Sequence, residues 1–354
     1  MLALSDLPVE QSRLIHDPGA LQLVPWLRNT ILLRRNTFRL CVVVGDAVSS
    51  PIGHIHVPYD WHRVPASLPG PTHLTILHLN DLHGHIARLT PYGTQPILSR
   101  IAWYRRQLRA SDPGVLMLSA GDDTVGSAFD SLLWPDNEDN TVHAAYRSYR
   151  ALGLDAAAVG NHDLDHGTQT LARAAACDAQ FPLLSANLVA PELSQVVYPA
   201  AVFIRRGIRI GVIGLTTPAR QSARTDFIRI APPEPVLNRL VPALREICDV
   251  IIVLSHLGFS TDSNPAETGS VGDVELAQSV PAGSIDLIIG GHSHHVLNEE
   301  CLEAANVVNG IPIVQAGANG RFLGHVTIML ESSADGSKNS HDGSKPVVSV
   351  AEAH

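Results

Sequence analysis

Residues 74–84 read LTILHLNDLHG. An apolar run (74–79) stops abruptly at Asn80-Asp81-Leu82-His83-Gly84, a string of metal-ligating side chains beside a glycine. That is the pattern of a buried strand that ends at a site. It recurs along the chain. Run 115–118 (VLML) leads to Gly121-Asp122, and run 156–159 (AAAV) to Gly160-Asn161-His162-Asp163. Run 250–254 (VIIVL) leads to Ser255-His256, and run 286–289 (DLII) to Gly291-His292-Ser293-His294. In open α/β sheets the carboxyl ends of strands face the ligand crevice, so these five loops are expected to converge.

The segments between are amphipathic. Ile97, Ile101, Tyr104 and Leu108 recur at helical spacing, as do Val142, Ala145, Tyr146, Tyr149 and Leu152, with Gly153 placed as a C-cap. Leu237, Leu240, Val241 and Leu244 form a third face, in which Pro242 predicts a kink or a restart. With further apolar runs at 208–215 and 311–315, the alternation predicts an α/β fold with buried sheets.

Outside this rhythm the chain is less regular. Residues 1–71 read as an N-terminal extension, partly irregular, with a short helix over 21–33, a strand over 38–44, and breaks at Pro58, Pro65, Pro69 and Pro71. Residues 72–354 read as the main domain, which carries these loops. Within it the polar stretch 331–345, between strand-like 326–330 and 347–350, predicts a floppy hairpin loop.

The chain has 354 residues, 45% of them hydrophobic and 17% charged, which is globular composition. Its net charge of −9 lacks the basic footprint that nucleic-acid polymers require. Small anions stay open, because bound metal ions reverse the sign locally. Cys41, Cys177, Cys248 and Cys301 lie far apart, which predicts isolated thiols and no disulfide framework. No apolar run reaches the length of a membrane span. The start, MLALSDLPVEQ, has no basic segment followed by an apolar core, which predicts a cytoplasmic protein.

The candidate ligands are two aspartates, one asparagine and four histidines: Asp81, Asp122, Asn161, His83, His256, His292 and His294. Asp81 and His83 are two apart, as are His292 and His294; in extended backbone such pairs project to one side. Mixed oxygen and imidazole donors suit zinc, manganese or iron. Seven donors exceed one tetrahedral ion, and with one shared carboxylate they serve two ions, four each. His162 lies three residues before Asp165, a spacing that lets the carboxylate orient the ring. His73, His78 and His325 read as packing or surface residues, and His85, His166 and His295 as flanking ones. Asp123 is expected to point away from the ligand set, and Asp163 to be structural.

The strings ILHLNDLHGH, SAGDDTVGS, GNHDLDHG, SHLG, GGHSHH and PIVQAGANGRFLG resemble the calcineurin-like metallophosphoesterases, in their 5′-nucleotidase branch. The resemblance covers residues 72–350. It implies a four-layer α-β-β-α sandwich with a two-metal site, zinc or manganese foremost. Asp81, His83, Asp122 and His294 would hold one ion, and Asp122 would bridge to a second completed by Asn161, His256 and His292. His162 and Asp165 match the catalytic pair. The implied reaction is hydrolysis of a small phosphoester, nucleotides foremost, by a hydroxide bridging the metals with His162 assisting. Thiosulfohydrolase-type use of the scaffold is an enzymatic alternative, and a non-catalytic metal-binding protein a second. The branch also carries a C-terminal nucleoside-binding domain, which is expected to be absent here, and its members are exported, which is the alternative to a cytoplasmic location.

Overall fold

The computed structural model describes residues 21–23, 30–35, 38–44, 72–330 and 347–351, apart from 92, 134–142, 207, 219–227, 262–270 and 300. Pro58, Pro65, Pro69 and Pro71, Val142 and the loop 331–345 lie outside these residues.

In chain order the strands are β1 (Leu21–Leu23), β2 (Thr30–Arg35), β3 (Phe38–Val44), β4 (Thr72–Leu79), β5 (Ala87–Thr90), β6 (Gly93–Pro96), β7 (Leu116–Ser119), β8 (Ala156–Ala158) and β9 (Leu183–Leu184). They continue with β10 (Leu188–Val189), β11 (Val197–Tyr198), β12 (Ala200–Arg205), β13 (Ile208–Thr216), β14 (Arg229–Ile230), β15 (Val250–His256), β16 (Leu287–Gly290), β17 (Val296–Leu297), β18 (Val307–Val308), β19 (Ile311–Ala316), β20 (Gly324–Leu330) and β21 (Val347–Ala351). The main helices are α1 (Ile97–Ser111), α2 (Ala144–Leu152), α3 (Thr168–Ala174), α4 (Pro233–Arg245) and α5 (Asp273–Ser279).

Two sheets carry the fold. One has seven strands in the order β11-β9-β8-β7-β4-β20-β21, and the other ten, along β1-β2-β3-β12-β13-β15-β16-β19-β17 with β18 beside β19. Alternation along each strand builds four layers. Leu74 and Ile76 of β4 face the ten-stranded sheet, whereas Leu77 and Leu79 face α1 and α2. In the other sheet, Ile252 and Leu254 face inward, whereas Ile251 and Val253 pack against Leu237, Leu240 and Leu244 of α4 and Leu276 of α5. Three apolar cores therefore lie between helices and sheet, sheet and sheet, and sheet and helices. This is the α-β-β-α order.

Strands β4, β7 and β8 run parallel in one sheet, and β13, β15, β16 and β19 in the other. Their carboxyl ends carry the five ligand-bearing loops. Strands β20 and β21 pair antiparallel, Val326 opposite Val350, so the strand-like flanks of the polar stretch do form a hairpin.

Two expectations are corrected. The described parts of segment 21–33 are strands, not helix: β1 pairs antiparallel with β2, Leu21 opposite Leu33, and β3 joins β12 of the larger sheet. Pro25 cannot donate within a helix, and pairing to an existing sheet outweighs a local apolar rhythm. Pro242 does not restart α4, which runs from Pro233 to Arg245 as one helix. Pro242 and Asn238 are both exposed, so the carbonyl left without a donor faces water. The buried face of Leu237, Leu240, Val241 and Leu244 holds both sides of the proline on the sheet.

Candidate metal centre

The loop after β4 and the loop after β7 are joined by three backbone bonds. Asp81 N–H donates to Gly121 O (2.9 Å), His83 N–H to Asp122 O (2.8 Å) and Gly84 N–H to Asp123 O (2.6 Å). The loop after β16 is tied in from the other sheet, where His292 N–H donates to Asp81 Oδ2 at 2.8 Å. The loop after β8 is tied through His162 N–H, which donates to Asp122 Oδ1 at 2.8 Å.

The expected i, i+2 alternation is not what aligns these side chains. Strand β4 ends at Leu79, and five of the seven candidate ligands are left-handed: φ is 50° at Asp81, 48° at His83, 54° at Asp122, 70° at His292 and 59° at His294. An αL residue reverses the chain locally, so both members of a pair turn into the crevice without extended backbone. Glycines allow the close approach. A Cβ on Gly160 would lie 2.5 Å from Asp122 N and 2.7 Å from its Cγ, and one on Gly121 would lie 2.8 Å from Gly160 N.

Two groups of ligand atoms result. One atom each from Asp81, His83 and His294 lie within 4.8 Å of one another, and so do atoms from Asp122, His256 and His292. The groups adjoin, since His292 is bonded to Asp81 and the rings of His256 and His292 are 5.2 Å apart. His162 and Asp165 also meet. His162 Nδ1 lies 2.8 Å from Asp165 Oδ2, and the His162 ring is 5.4 Å from that of His83.

The donor chemistry fits divalent cations. His83 Nδ1 lies 2.8 Å from Val125 O, an acceptor only, so Nδ1 carries the proton and Nε2 offers a lone pair. That lone pair faces His294 Nε2 at 3.2 Å. His256 repeats the device, with Nδ1 on Ala120 O at 2.7 Å and Nε2 on Asp122 Oδ2 at 2.9 Å. Asn161 Oδ1 is buried without a hydrogen-bond partner among the described residues. Acceptors that face one another out of water repel unless a proton or a cation lies between them.

The titration of these groups states the same demand. Burial opposes a charged His256, but Asp122 outweighs it and raises the ring to about 10. Burial also opposes a charged Asp122, but His256 outweighs it and holds the carboxyl below its ordinary range. The Asp165 hydrogen bond raises His162.

Asp123 lies outside both groups, accepting from Ser119 Oγ at 2.8 Å, and burial together with Asp163 pushes it well up. Asp163 accepts from Gly160 N–H (2.9 Å), Asp122 N–H (3.1 Å) and Thr124 Oγ1 (2.8 Å), so it fixes the backbone under the site. His78 is buried, and burial lowers it to about 3. His85 Nδ1 turns back to Leu82 O, and His295 Nδ1 to Ser293 Oγ.

Two supporting amides escaped the sequence reading. Asn80 Nδ2 donates to Asp81 Oδ2 (2.7 Å) and Gly317 O (2.6 Å), and its Oδ1 accepts from Ala316 N–H (2.8 Å). Gln315 Nε2 donates to Gly291 O (3.0 Å), and its Oε1 accepts from Ser293 Oγ and His295 N–H, bracing the loop of His292 and His294. The available signal was an uncharged amide at the end of an apolar run, in HLN and PIVQ.

Residues 74–296 match the profile of the calcineurin-like phosphoesterase family. The chain is 34% identical over 262 residues to the protein UshA of Yersinia enterocolitica, covering 71% of this chain and 46% of that protein. It is 31% identical over 275 residues to a 5′-nucleotidase of Vibrio vulnificus, covering 71% and 48%. The chain thus spans about half the length of the curated relatives it matches. Its fold is similar to that of the calcineurin-like phosphoesterase YfkN of Bacillus subtilis, with a TM-score of 0.63 at 23% identity over 80% of this chain and 91% of that one. Among the described residues no helix is long and apolar enough to cross a membrane.

Proposed function

Since the chain belongs to the calcineurin-like phosphoesterase family, we propose that it is a metal-dependent hydrolase of small phosphoesters, nucleotides foremost. The observation that carries the reading is the pair of adjoining ligand groups with His162–Asp165 beside them. The name of the Vibrio vulnificus relative supports nucleotides as the substrate class.

Asp81, His83 and His294 would hold one divalent ion, and Asp122, Asn161, His256 and His292 a second, with Asp122 shared. Zinc and manganese suit this donor set. Ions bound there would polarise the phosphoryl oxygens and lower the pKa of a water between them.

The remaining work belongs to His162. With Nδ1 donating to Asp165, the charged ring keeps a proton on Nε2, and the hydrogen bond favours that form. His162 is half-buried and beside His83, so Nε2 can donate to the transferring phosphoryl group or hand its proton to the departing alkoxide. Asp165 holds the ring in register. Asp163 and Gly160 keep Asp122 from drifting.

The test is hydrolysis of an aryl phosphate and of nucleoside 5′-monophosphates after chelation, with manganese or zinc then restored. Activity that vanishes on chelation and returns with either ion is expected. Release of phosphate at the same rate with and without chelator would rule out metal dependence.

A further inference from the structure

Beside the metal groups, on the helical side of the seven-stranded sheet, lies a cavity of about 360 Å³. That volume is within the range of small-molecule sites. Strand β5, the first two turns of α1 and the loop 320–323 form its walls. Each contributes a guanidinium: Arg88, Arg100 and Arg321. Among the described residues no carboxylate lines it, in a chain with 34 acidic and 25 basic residues. Among the described residues, none of these three arginines is held in an ion pair, whereas six other arginines are.

The same cavity is faced by two exposed aromatic residues. Trp103 is 59% exposed and Phe322 44%, the most exposed Phe, Trp or Tyr rings among the described residues. Three like-charged guanidiniums and two exposed rings thus share one concavity, with no ion pair to a described carboxylate. It suits a ligand with a flat ring and a negative group, because rings stack on such planes and guanidiniums form paired hydrogen bonds to phosphate or carboxylate.

The cavity is separate from the ligand groups but braced against them. A Cβ on Gly320 would lie 2.8 Å from Leu82 Cδ1, so Leu82 stands between the two places. Asn319 N–H donates to Asp81 O at 2.8 Å, which ties the loop of Arg321 to the first ligand.

We infer that this cavity is a second ligand site, for an organic anion carrying a flat ring, with the three guanidiniums on the anion and Trp103 and Phe322 on the ring. The inference stands apart from the hydrolase reading, because binding here requires no metal. Adenosine 5′-monophosphate carries both chemical features and is the probe.

The experiment is equilibrium dialysis of labelled adenosine 5′-monophosphate against the full chain in excess chelator, where it is not consumed. Saturable binding at one site per chain is expected, retained in Asp122→Ala. Arg100→Gln and Arg321→Gln should each weaken it about tenfold or more, the worth of one charge-assisted hydrogen bond. Trp103→Ala should weaken it about fivefold or more through lost stacking. Adenosine and inorganic phosphate should each bind at least tenfold more weakly than the nucleotide, roughly the loss of one of the two contacts. Arg100, Arg321 and Trp103 are exposed, and an unchanged melting temperature verifies folding. No saturable binding in chelator, binding that vanishes in Asp122→Ala, binding indifferent to the three substitutions, or phosphate binding as tightly as the nucleotide would each overturn the inference.

Discussion

Replacing Gly160 with alanine adds one carbon to the metal centre and changes nothing else. The backbone accepts the change, because Gly160 is not left-handed. The surroundings do not. The new Cβ would lie 2.7 Å from Asp122 Cγ and 2.5 Å from Asp122 N. Ordinary carbon–carbon contact begins near 3.5 Å, so the carboxylate must retreat by roughly 0.8 Å. Metal–ligand distances tolerate about 0.2 Å, so the displacement is about four times what a bound ion allows. Asp122 cannot turn aside, because the buried Asp163 holds its amide and His256 lies against its Oδ2. Losing a well-placed contact at a metal site costs about 10–100-fold in affinity, and Asp122 is the residue proposed to serve both ions. Gly160→Ala should therefore fall from two ions per chain to one or none after dialysis, measured by elemental analysis, and lose at least about a hundredfold in kcat. Gly167→Ala is the contrasting control. Its Cβ meets open space, but φ is +85°, so it should bind metal normally. With ψ at 158° it occupies a region reserved essentially for glycine, so the change should cost about 1–3 kcal/mol and lower Tm by roughly 2–12 °C. A Gly160→Ala protein with two tightly held ions and parental turnover would refute the placement of Asp122 at the centre of the site.

Three further outcomes are expected. His162→Ala should retain its metal but lose about 10²–10⁴-fold in turnover, whereas Asp165→Asn should lose less. Because Asp165 raises His162, Asp165→Asn should move the alkaline limb of the pH–rate profile to lower pH, and an unmoved limb would remove His162 as the proton donor. Asn80→Ala leaves buried partners at Asp81, Ala316 and Gly317 unsatisfied, so urea titration should show about 2–4 kcal/mol of lost stability together with weaker metal retention. Burial pushes the Cys248 thiol up to about 12, so at pH 8 mass spectrometry should find Cys177 and Cys301 alkylated in the native protein and Cys248 only after unfolding.

Much of this architecture is legible in the sequence because buried parallel strands leave a coarse signature. An apolar run followed by Asp, Asn or His marks both the strand and the crevice it feeds, so runs 74–79, 250–254 and 286–289 read as buried strands feeding one site, whereas the order of the four layers came only from the family resemblance. What fails is the local geometry. Asp81 and His83 were expected to align by strand alternation, but they align by left-handed turns. Only contact with the facing loop fixes that conformation, and periodicity cannot report it. Segment 21–33 fails for a related reason: its apolar spacing fits a helix, and only its pairing through β3 to β12 decides for strands. The bracing roles of Asn80 and Gln315 were missed because an amide's role depends on carbonyls some 237 residues away for Asn80 and 24 away for Gln315.

The left-handed ligands also bear on how the protein can change. Asp81, His83, Asp122, His292 and His294 each hold a backbone conformation that L residues disfavour by roughly 1–2 kcal/mol. Together that is a substantial fraction of the ~5–15 kcal/mol that keeps a typical domain folded. Glycine at any of the five would relieve strain and remove a ligand in the same step. Selection for thermal robustness and selection for chemistry therefore pull in opposite directions at these positions. Directed evolution under heat, without a demand for turnover, should erase the site before it touches the cores.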